Sequence, residues 1–588
     1  MRLLLLVTAF NGLTQRVFEH LRLQSHEVGV IFAGCDDEVR DTVSVFHPDI
    51  ILCPFLKQRI PDDIWNKHLC IIIHPGITGD RGPSSLDWAI LNRESEWGVT
   101  ALQADSEMDA GDIWSTGNFP MRAASKASLY RQEVTKMAAH LVDEVIDLFK
   151  LRAVEIQSNP LSMRFMPQAL DYSRADVKGE LRPLLKQSGR TIDWSEDCTQ
   201  TVLDKIRAAD SFPGVLDEFC GLPVYLYGAH REGALKGDKP KQILAQRHGG
   251  ICVATIDGAV WISHLKRQKS ESQSFIKLPA TWVLGDAVKT VPELSLKVLP
   301  DHKTDTFSEI SYRESGNVGY LYFNFHNGAM GTEQCYRLLK AYKAALEQDT
   351  RVIVLMGGDD FFSNGIHLNH IEASEDKAQS SWLNINAIDD LIKAILETRN
   401  KLTVAALKNN AGAGGAMMAL ACDYIFARDG VVLNPHYKGM GLYGSEYWTY
   451  TLPSRVGIEK AAELTESCLP LGAQAAAKIG FLDAIFPGDL TAYQFELNKH
   501  VTDIAADYQF EQLLANKRQR RDRDEAEKPL AAYRQEELLQ MELCFWGESS
   551  QYHAKRYNFI YKVSCTRTPA HLKYDCNKPK IETSLVSV

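Results

Sequence analysis

Lys401–Asp423, KLTVAALKNNAGAGGAMMALACD, decides the fold of the second half of this 588-residue chain. Leu402–Leu407 is an apolar strand, a Gly/Ala turn follows, and a small-residue helix begins at about Gly414. A glycine-rich turn opening a buried helix presents unpaired backbone N–H groups at the positive end of the helix dipole. Such groups stabilise a carbonyl oxygen that gains negative charge during reaction. Upstream, Arg351–Leu368, RVIVLMGGDDFFSNGIHL, reads as a second buried strand ending in a glycine turn at Gly365, a source for a second donor. Two N–H groups on one oxygen make an oxyanion hole. Downstream, Val431–Trp448, VVLNPHYKGMGLYGSEYW, adds the polar residues His436, Tyr437, Tyr443 and Glu446.

Phe361–Leu368, the AGAGGAMMALACD turn and Asn434–Gly444 together resemble the crotonase (enoyl-CoA hydratase/isomerase) superfamily, from about Thr306 to Pro487. The resemblance implies a crotonase-like α/β domain that binds coenzyme A thioesters. It places the Ile366 and Gly414 N–H groups at the oxyanion pair, with Gly365, Gly415, Tyr443 and Gly444 lining the cofactor site. Hydratases of that superfamily carry two catalytic glutamates; here Met417 and His436 stand at those positions, so ordinary hydration is not expected. Glu446 becomes the candidate acid/base, with His436 or Tyr443 as its alternatives. Aromatic neighbours (Tyr437, Tyr443, Tyr447, Trp448) would raise its pKa. A place in the first turn of a helix would lower it.

In the first half, Met1–Phe10, Val28–Phe32 and Ile50–Pro54 are apolar runs between helix-like segments, the pattern of a parallel α/β sheet. A signal peptide is the competing reading of the first run, which lacks a small-residue cleavage site. His74 follows the apolar strand of Cys70–Ile90, CIIIHPGITGDRGPSSLDWAI, and so sits at a strand's C-terminal end, where α/β ligand sites lie. Asp109 lies in Thr100–Ile113, TALQADSEMDAGDI. An Asp beside a His fixes its tautomer and suits it to proton transfer, although a His–Asp pair this far apart in sequence is also a common structural device.

Residues 70–117 resemble the folate-dependent formyltransferases, whose Asn-x-His and Asp-x-Gly place their His at His74 and their Asp at Asp109. The Asn position is Ile72, which cannot donate a hydrogen bond to a tetrahedral oxyanion. Arg81–Gly82 follows at nearly the family spacing. The resemblance implies 10-formyltetrahydrofolate as formyl donor, with Phe10, Phe55, Leu56, Arg81 and Gly82 at its binding site. Gly189–Ser195, GRTIDWS, and Ile206–Phe212, IRAADSF, resemble the C-terminal barrel-like domain of methionyl-tRNA formyltransferase, and Gly249–Leu265 reads as short alternating strands.

Length predicts roughly three or four domains. The expected division is a Rossmann-like formyltransferase domain over 1–165, a small β-barrel-like domain over 166–290, a linker over 291–305, and a crotonase-like domain with C-terminal helices over 306–588. With 65 basic and 75 acidic residues the formal charge is −10, which disfavours nucleic acid as a partner. The basic run Lys517–Arg523, KRQRRDR, is interrupted and followed by acids, and reads as a solvated helix face. No stretch reaches the ~18 apolar residues a membrane helix needs. Twelve scattered cysteines fit a reduced, cytoplasmic setting. No metal is expected: there is no CxxC pair, and His367 and His370 lack an obvious third ligand. Arg556 and Lys562, late in the helical C-terminus, are candidates for the coenzyme A phosphates, with plain surface charge as the other reading.

A folate-type formyl site and a coenzyme A-type acyl site on one chain resemble the HypX (HoxX) family of hydrogenase-maturation proteins, over essentially the full length. The resemblance implies formyl transfer from 10-formyltetrahydrofolate to coenzyme A, then decarbonylation of formyl-CoA to carbon monoxide for nickel–iron hydrogenase. It implies partners among the maturation proteins of that enzyme. Three other readings remain: an amine formyltransferase with a coenzyme A-binding regulatory half, two enzymes fused for co-expression, and a non-catalytic scaffold.

Overall fold

The computed structural model describes residues 1–158, 166–270, 273–563 and 566–574. The chain divides into two compact units, Met1–Gly189 with Ser564–Val588, and Arg190–Val563.

The first unit is built on a six-stranded sheet. Its order is Glu27–Phe32, Arg2–Val7, Ile50–Cys53, Cys70–His74, Glu96–Gln103 and Ile113–Pro120. The first four strands are parallel and the last two antiparallel. The apolar run Met1–Phe10 is thus a sheet strand, with Leu3–Val7 buried. Parallel strands covered on both faces read as continuous Val/Ile/Leu runs, while the antiparallel pair extends the sheet beyond the fully parallel one foreseen. Segment 166–189 belongs to this unit rather than to the domain after it. Gln168 bridges Ile113 and Leu181 bridges Arg81. Residues 566–574 also return here. The Phe32 N–H donates to Thr568 Oγ1 at 3.0 Å, the Tyr574 hydroxyl donates to Glu27 at 2.8 Å, and its ring packs edge-on against Phe46.

The second unit opens with an antiparallel sheet, ordered Val215–Phe219, Leu222–Glu232, Ala259–Arg267, Gly250–Ala254 and Ile243–Arg247. The helix Thr199–Ala209 packs Val202, Leu203 and Ile206 against it. The expected linker is tied down on this sheet. The Arg247 guanidinium donates to the carbonyls of Leu294 and Phe307, both at 2.9 Å. A second six-stranded sheet follows: an antiparallel hairpin, Ile310–Ser315 with Val318–Phe323, then Val352–Gly357, Leu402–Leu407, Tyr424–Arg428 and Ala484–Phe486 in parallel.

Helices Phe510–Glu527, Leu530–Trp546 and Tyr552–Ile560 complete this unit. The run KRQRRDR is not wholly a solvated face. Helical spacing of four turns Lys517 and Arg521 inward together, where Lys517 pairs with Asp423 at 2.6 Å and Arg521 donates to the Tyr450 hydroxyl at 2.9 Å. Among the described residues no helix is long and apolar enough to cross a membrane.

Candidate functional site

Two sites emerge, one in each unit. In the first, His74 closes its strand at the C-terminal edge of the parallel strands. Ring Nε2 lies 2.9 Å from Asp80 Oδ2, and Nδ1 lies 3.6 Å from Asp109 Oδ2. The His74 side chain is 5% exposed and that of Asp80 is 0% exposed. The turn GITGDRG folds back over the ring, and a Cβ on Gly76 would collide with both His74 Nε2 and Asp80 Oδ2. Asp109 takes a left-handed φ of 56°, and its carboxylate accepts the Gly82 N–H at 3.3 Å. Arg81 donates to Glu107 at 3.1 Å and to the Met108 carbonyl, bracing the loop that carries Asp109.

Asp109 was the only acid expected beside His74, yet Asp80 makes the shorter contact. Its signal was in plain view, an acid six residues past a strand-end His in a glycine-bounded turn. Arg182, its Nε 4.0 Å from Asp80 Oδ1, offsets part of the buried charge. Ile72 stands on the same side of the strand as His74 and packs on the cluster of Ile51 and Cys53. Phe10, Phe55 and Leu56 follow the strands Arg2–Val7 and Ile50–Cys53 and so reach the same sheet edge, each half-buried.

In the second site, the Gly365 and Gly414 turns lie against each other, and a Cβ on Gly365 would sit 3.1 Å from the Gly414 nitrogen. Helix Gly414–Leu420 begins after Ala413, whose φ is 47°. Among the described residues, neither the Ile366 nor the Gly414 N–H donates a hydrogen bond. A side chain on Gly414 would run into Glu446, and one on Gly415 into the Ser363 backbone. Met417 is buried in the helix core, where it fills apolar space.

Glu446 is 1% exposed. Tyr437 donates its hydroxyl to Glu446 Oε2 at 2.7 Å, and the Ser445 N–H donates to the same oxygen at 2.9 Å. Burial first, and the charge of Asp389 second, push the Glu446 carboxyl up to about 8. The sequence placed Glu446 at a helix start, and the structure corrects this. The helix is Trp448–Val456, and Glu446 and Tyr447 precede it with left-handed φ of 65° and 58°. Glu446 therefore stands outside the first turn, so the dipole that would hold its pKa down does not act on it there.

The sequence did not single out Asp389 or Glu537. Asp389 comes from the helix Lys377–Leu396, and its carboxylate accepts the Glu446 N–H at 2.9 Å and the Ser445 hydroxyl at 2.8 Å. Glu537, from Leu530–Trp546, accepts the N–H groups of Tyr447 and Thr449, each at 2.9 Å.

The remaining expected site residues of this unit have partners of their own. His436 is half-buried, and its N–H donates to the Asn434 carbonyl at 2.8 Å. Tyr443 packs at a tilt against Trp448, ring centroids 5.4 Å apart, and is 40% exposed. Gly444 has no room for a Cβ against the Tyr437 ring. Arg556 is 2% exposed and donates to Glu372 at 2.9 Å, so its charge is matched inside the fold. Lys562 is exposed, its ammonium 4.3 Å from the Phe559 ring centroid. His367 and His370 stack on each other at 3.5 Å. Among the described residues no group of three or more His, Cys, Asp or Glu side chains is placed to hold a metal ion.

Three family models match the chain: formyl transferase over residues 9–146, the formyl transferase C-terminal domain over 184–277, and enoyl-CoA hydratase/isomerase over 322–535. The hydrogenase maturation factor HoxX of Bradyrhizobium diazoefficiens is 47% identical over 97% of this chain and 96% of its own. The crystal structure of HypX from Aquifex aeolicus in complex with tetrahydrofolic acid superposes with a TM-score of 0.91 at 43% identity, covering 97% of this chain and 98% of that one. The methionyl-tRNA formyltransferase of Geobacter metallireducens is 25% identical over 41% of this chain and 73% of its own. With both sites on one chain and this likeness running end to end, the chain belongs to the HoxX/HypX family of hydrogenase maturation factors, joining a formyltransferase half to an enoyl-CoA hydratase-like half.

Proposed function

We propose that this chain moves the formyl group of 10-formyltetrahydrofolate onto coenzyme A at the His74 site, then releases carbon monoxide from formyl-CoA at the Glu446 site. The carbon monoxide serves the maturation of a nickel–iron hydrogenase. The observation that carries the reading is the Glu446 carboxyl, 1% exposed and lodged against Gly414 beside the Ile366 and Gly414 N–H groups, which donate no hydrogen bond among the described residues.

In the first step the coenzyme A sulfur attacks the formyl carbon and the bond from that carbon to N10 breaks. His74 takes the thiol proton and returns one to N10. Its Nδ1 lies 3.6 Å from Asp109, too far for a hydrogen bond, so Nδ1 is the nitrogen assigned to take and return the proton. Asp80 holds the other nitrogen throughout.

Formyl-CoA has no α-carbon, so enolate chemistry and hydration are both closed to it. The Ile366 and Gly414 N–H groups polarise the formyl oxygen. Glu446 gives its proton to the sulfur as the C–S bond breaks and takes the formyl proton in its place. Carbon monoxide and free coenzyme A leave, with no change in oxidation state overall. A carboxyl with a pKa of about 8 suits both directions of proton transfer near neutral pH. Met417, where hydratases carry a glutamate, gives no base for an attacking water.

The test is carbon monoxide release, trapped on deoxyhaemoglobin, from the full chain with 10-formyltetrahydrofolate and coenzyme A. Glu446→Gln keeps the size and removes the proton relay. It should cut carbon monoxide release by ~10²-fold or more while formyl-CoA accumulates. Normal release by that variant moves the role to His436 or Tyr443. No carbon monoxide from the wild type overturns the whole reading.

A further inference from the structure

We propose that Asp389 and Glu537 are positioning residues for the second site: they fix the left-handed turn at Ser445–Tyr447 and hold Glu446 against Gly414 as a proton-carrying group. The inference rests on the reading of Glu446 above.

The backbone shows what has to be held. Left-handed φ at two successive residues with side chains is strained, so something must over-determine the turn. Asp389 takes the Glu446 N–H and the Ser445 hydroxyl through separate oxygens. Glu537 takes the Tyr447 N–H with one oxygen and the Thr449 N–H and hydroxyl with the other, the last at 2.5 Å. Glu537 thereby caps the helix Trp448–Val456, whose own first residues supply no cap.

A Ser or Asn at the turn would cap that helix without a buried charge. Instead three carboxyl groups, all at most 1% exposed, meet within hydrogen-bonding reach of one turn. Arg534 approaches only Asp389, at 3.7 Å, and gives its closer contact, 2.6 Å, to Asp390. The groups that face Glu446 are therefore Tyr437 as donor, Asp389 and Glu537 as acids, Arg534 behind Asp389, and the buried Cys335 thiol. Like charges this close favour keeping a proton among them. Asp389 is itself pushed up to about 6 by burial, so it is ionised at neutral pH when Glu446 still carries its proton. Burial raises Glu446 first and the Asp389 charge adds to it, while Glu537, itself raised to about 8, adds least; positioning comes from both acids and the electrostatic part of proton retention mainly from Asp389.

The experiment reads the infrared carbonyl band of protonated carboxyl groups in the full chain across pH. The Glu446 component is identified by its loss in Glu446→Gln. Asp389→Asn should lower the Glu446 midpoint by about one unit or more, and Glu537→Gln should lower it too. The alkaline limb of the pH profile for carbon monoxide release should move with it. Both substitutions are isosteric, and if one fails to fold the other reads the same quantity. Lowered thermal stability with an unmoved midpoint would mean that the two acids only brace the fold, and would overturn the proposal. A midpoint that moves while Glu446→Gln still releases carbon monoxide would support the positioning role and sink the catalytic reading of Glu446.

Discussion

The two sites surround a titratable side chain in opposite ways. The first is local: His74, Asp80, Gly82 and Asp109 all come from the single stretch Cys70–Gly111, and the sheet edge does the rest. The second is assembled from afar. Glu446 takes its hydrogen-bond partner Asp389 from 57 residues upstream, and the neighbouring Tyr447 takes Glu537 from 90 residues downstream. In the first site carboxylates flank an imidazole, so opposite charges form when the ring is protonated. In the second, carboxylates flank a carboxyl, so like charges would form if it ionised. The His74 cluster is built by one strand, the turn after it and the loop that follows the neighbouring strand Glu96–Gln103. A raised carboxyl needs helices brought in from elsewhere to remove water and crowd the charge.

The largest effect that separates the two is His74→Ala. It should slow formyl-CoA formation by ~10²-fold or more, as loss of a proton-transfer group does. Carbon monoxide release from added formyl-CoA should stay at the wild-type rate. Assaying both steps in one preparation checks this, and equal loss of both would mean that the sites are not separate.

Asp80→Asn should have the next largest effect. An amide can offer Nε2 either its oxygen or its NH₂, so the ring tautomer is no longer fixed by a carboxylate. Formyl transfer should fall about tenfold in kcat, with the folate KM little changed. Asp109→Asn acts from 3.6 Å and reaches the substrate side, so its loss should appear in both constants. The reverse ranking would return the orienting role to Asp109.

This difference explains what could be read in advance. The strand-end position of His74, the glycine turns at Gly365 and Gly414, and the candidacy of Glu446 were all legible, because each is written in consecutive residues. Asp80 lay within a quoted motif and was passed over because the later Asp-x-Gly drew the reading to Asp109. Asp389 and Glu537 carry no local sign. Each is one acid on an amphipathic helix, and only packing turns it inward. Lys517 and Arg521 show the same limit, since a charged run says nothing of which side meets Asp423. The left-handed pair at Glu446 and Tyr447 was likewise hidden, since neither residue is a glycine.

The smallest effect is on stability, and it belongs to the second unit alone. Burial first raises Glu446 and Glu537 to about 8 from an ordinary value of 4.5, and burial first raises Asp389 to about 6 from 3.8. In the folded chain these groups keep protons that the unfolded chain has already released. The unfolded state therefore binds fewer protons through this window, and stability falls as pH rises through it. The loss begins near the unfolded values and levels off above about 8, where all three groups are ionised in both states. These three acids should contribute a drop in melting temperature between pH 6 and pH 8, opposed by buried histidines of the same unit such as His230 and His367, each held down to about 4 first by burial. Glu537→Gln removes one of the three groups and should make that drop smaller, although it also lowers the melting temperature at pH 6 by weakening the cap on Trp448–Val456. His74→Ala, which leaves the second unit intact, should leave the slope between pH 6 and pH 8 as it is in the wild type. If His74→Ala flattens the slope and Glu537→Gln does not, the pH-sensitive charge lies in the first site, and the contrast drawn between the two sites is wrong.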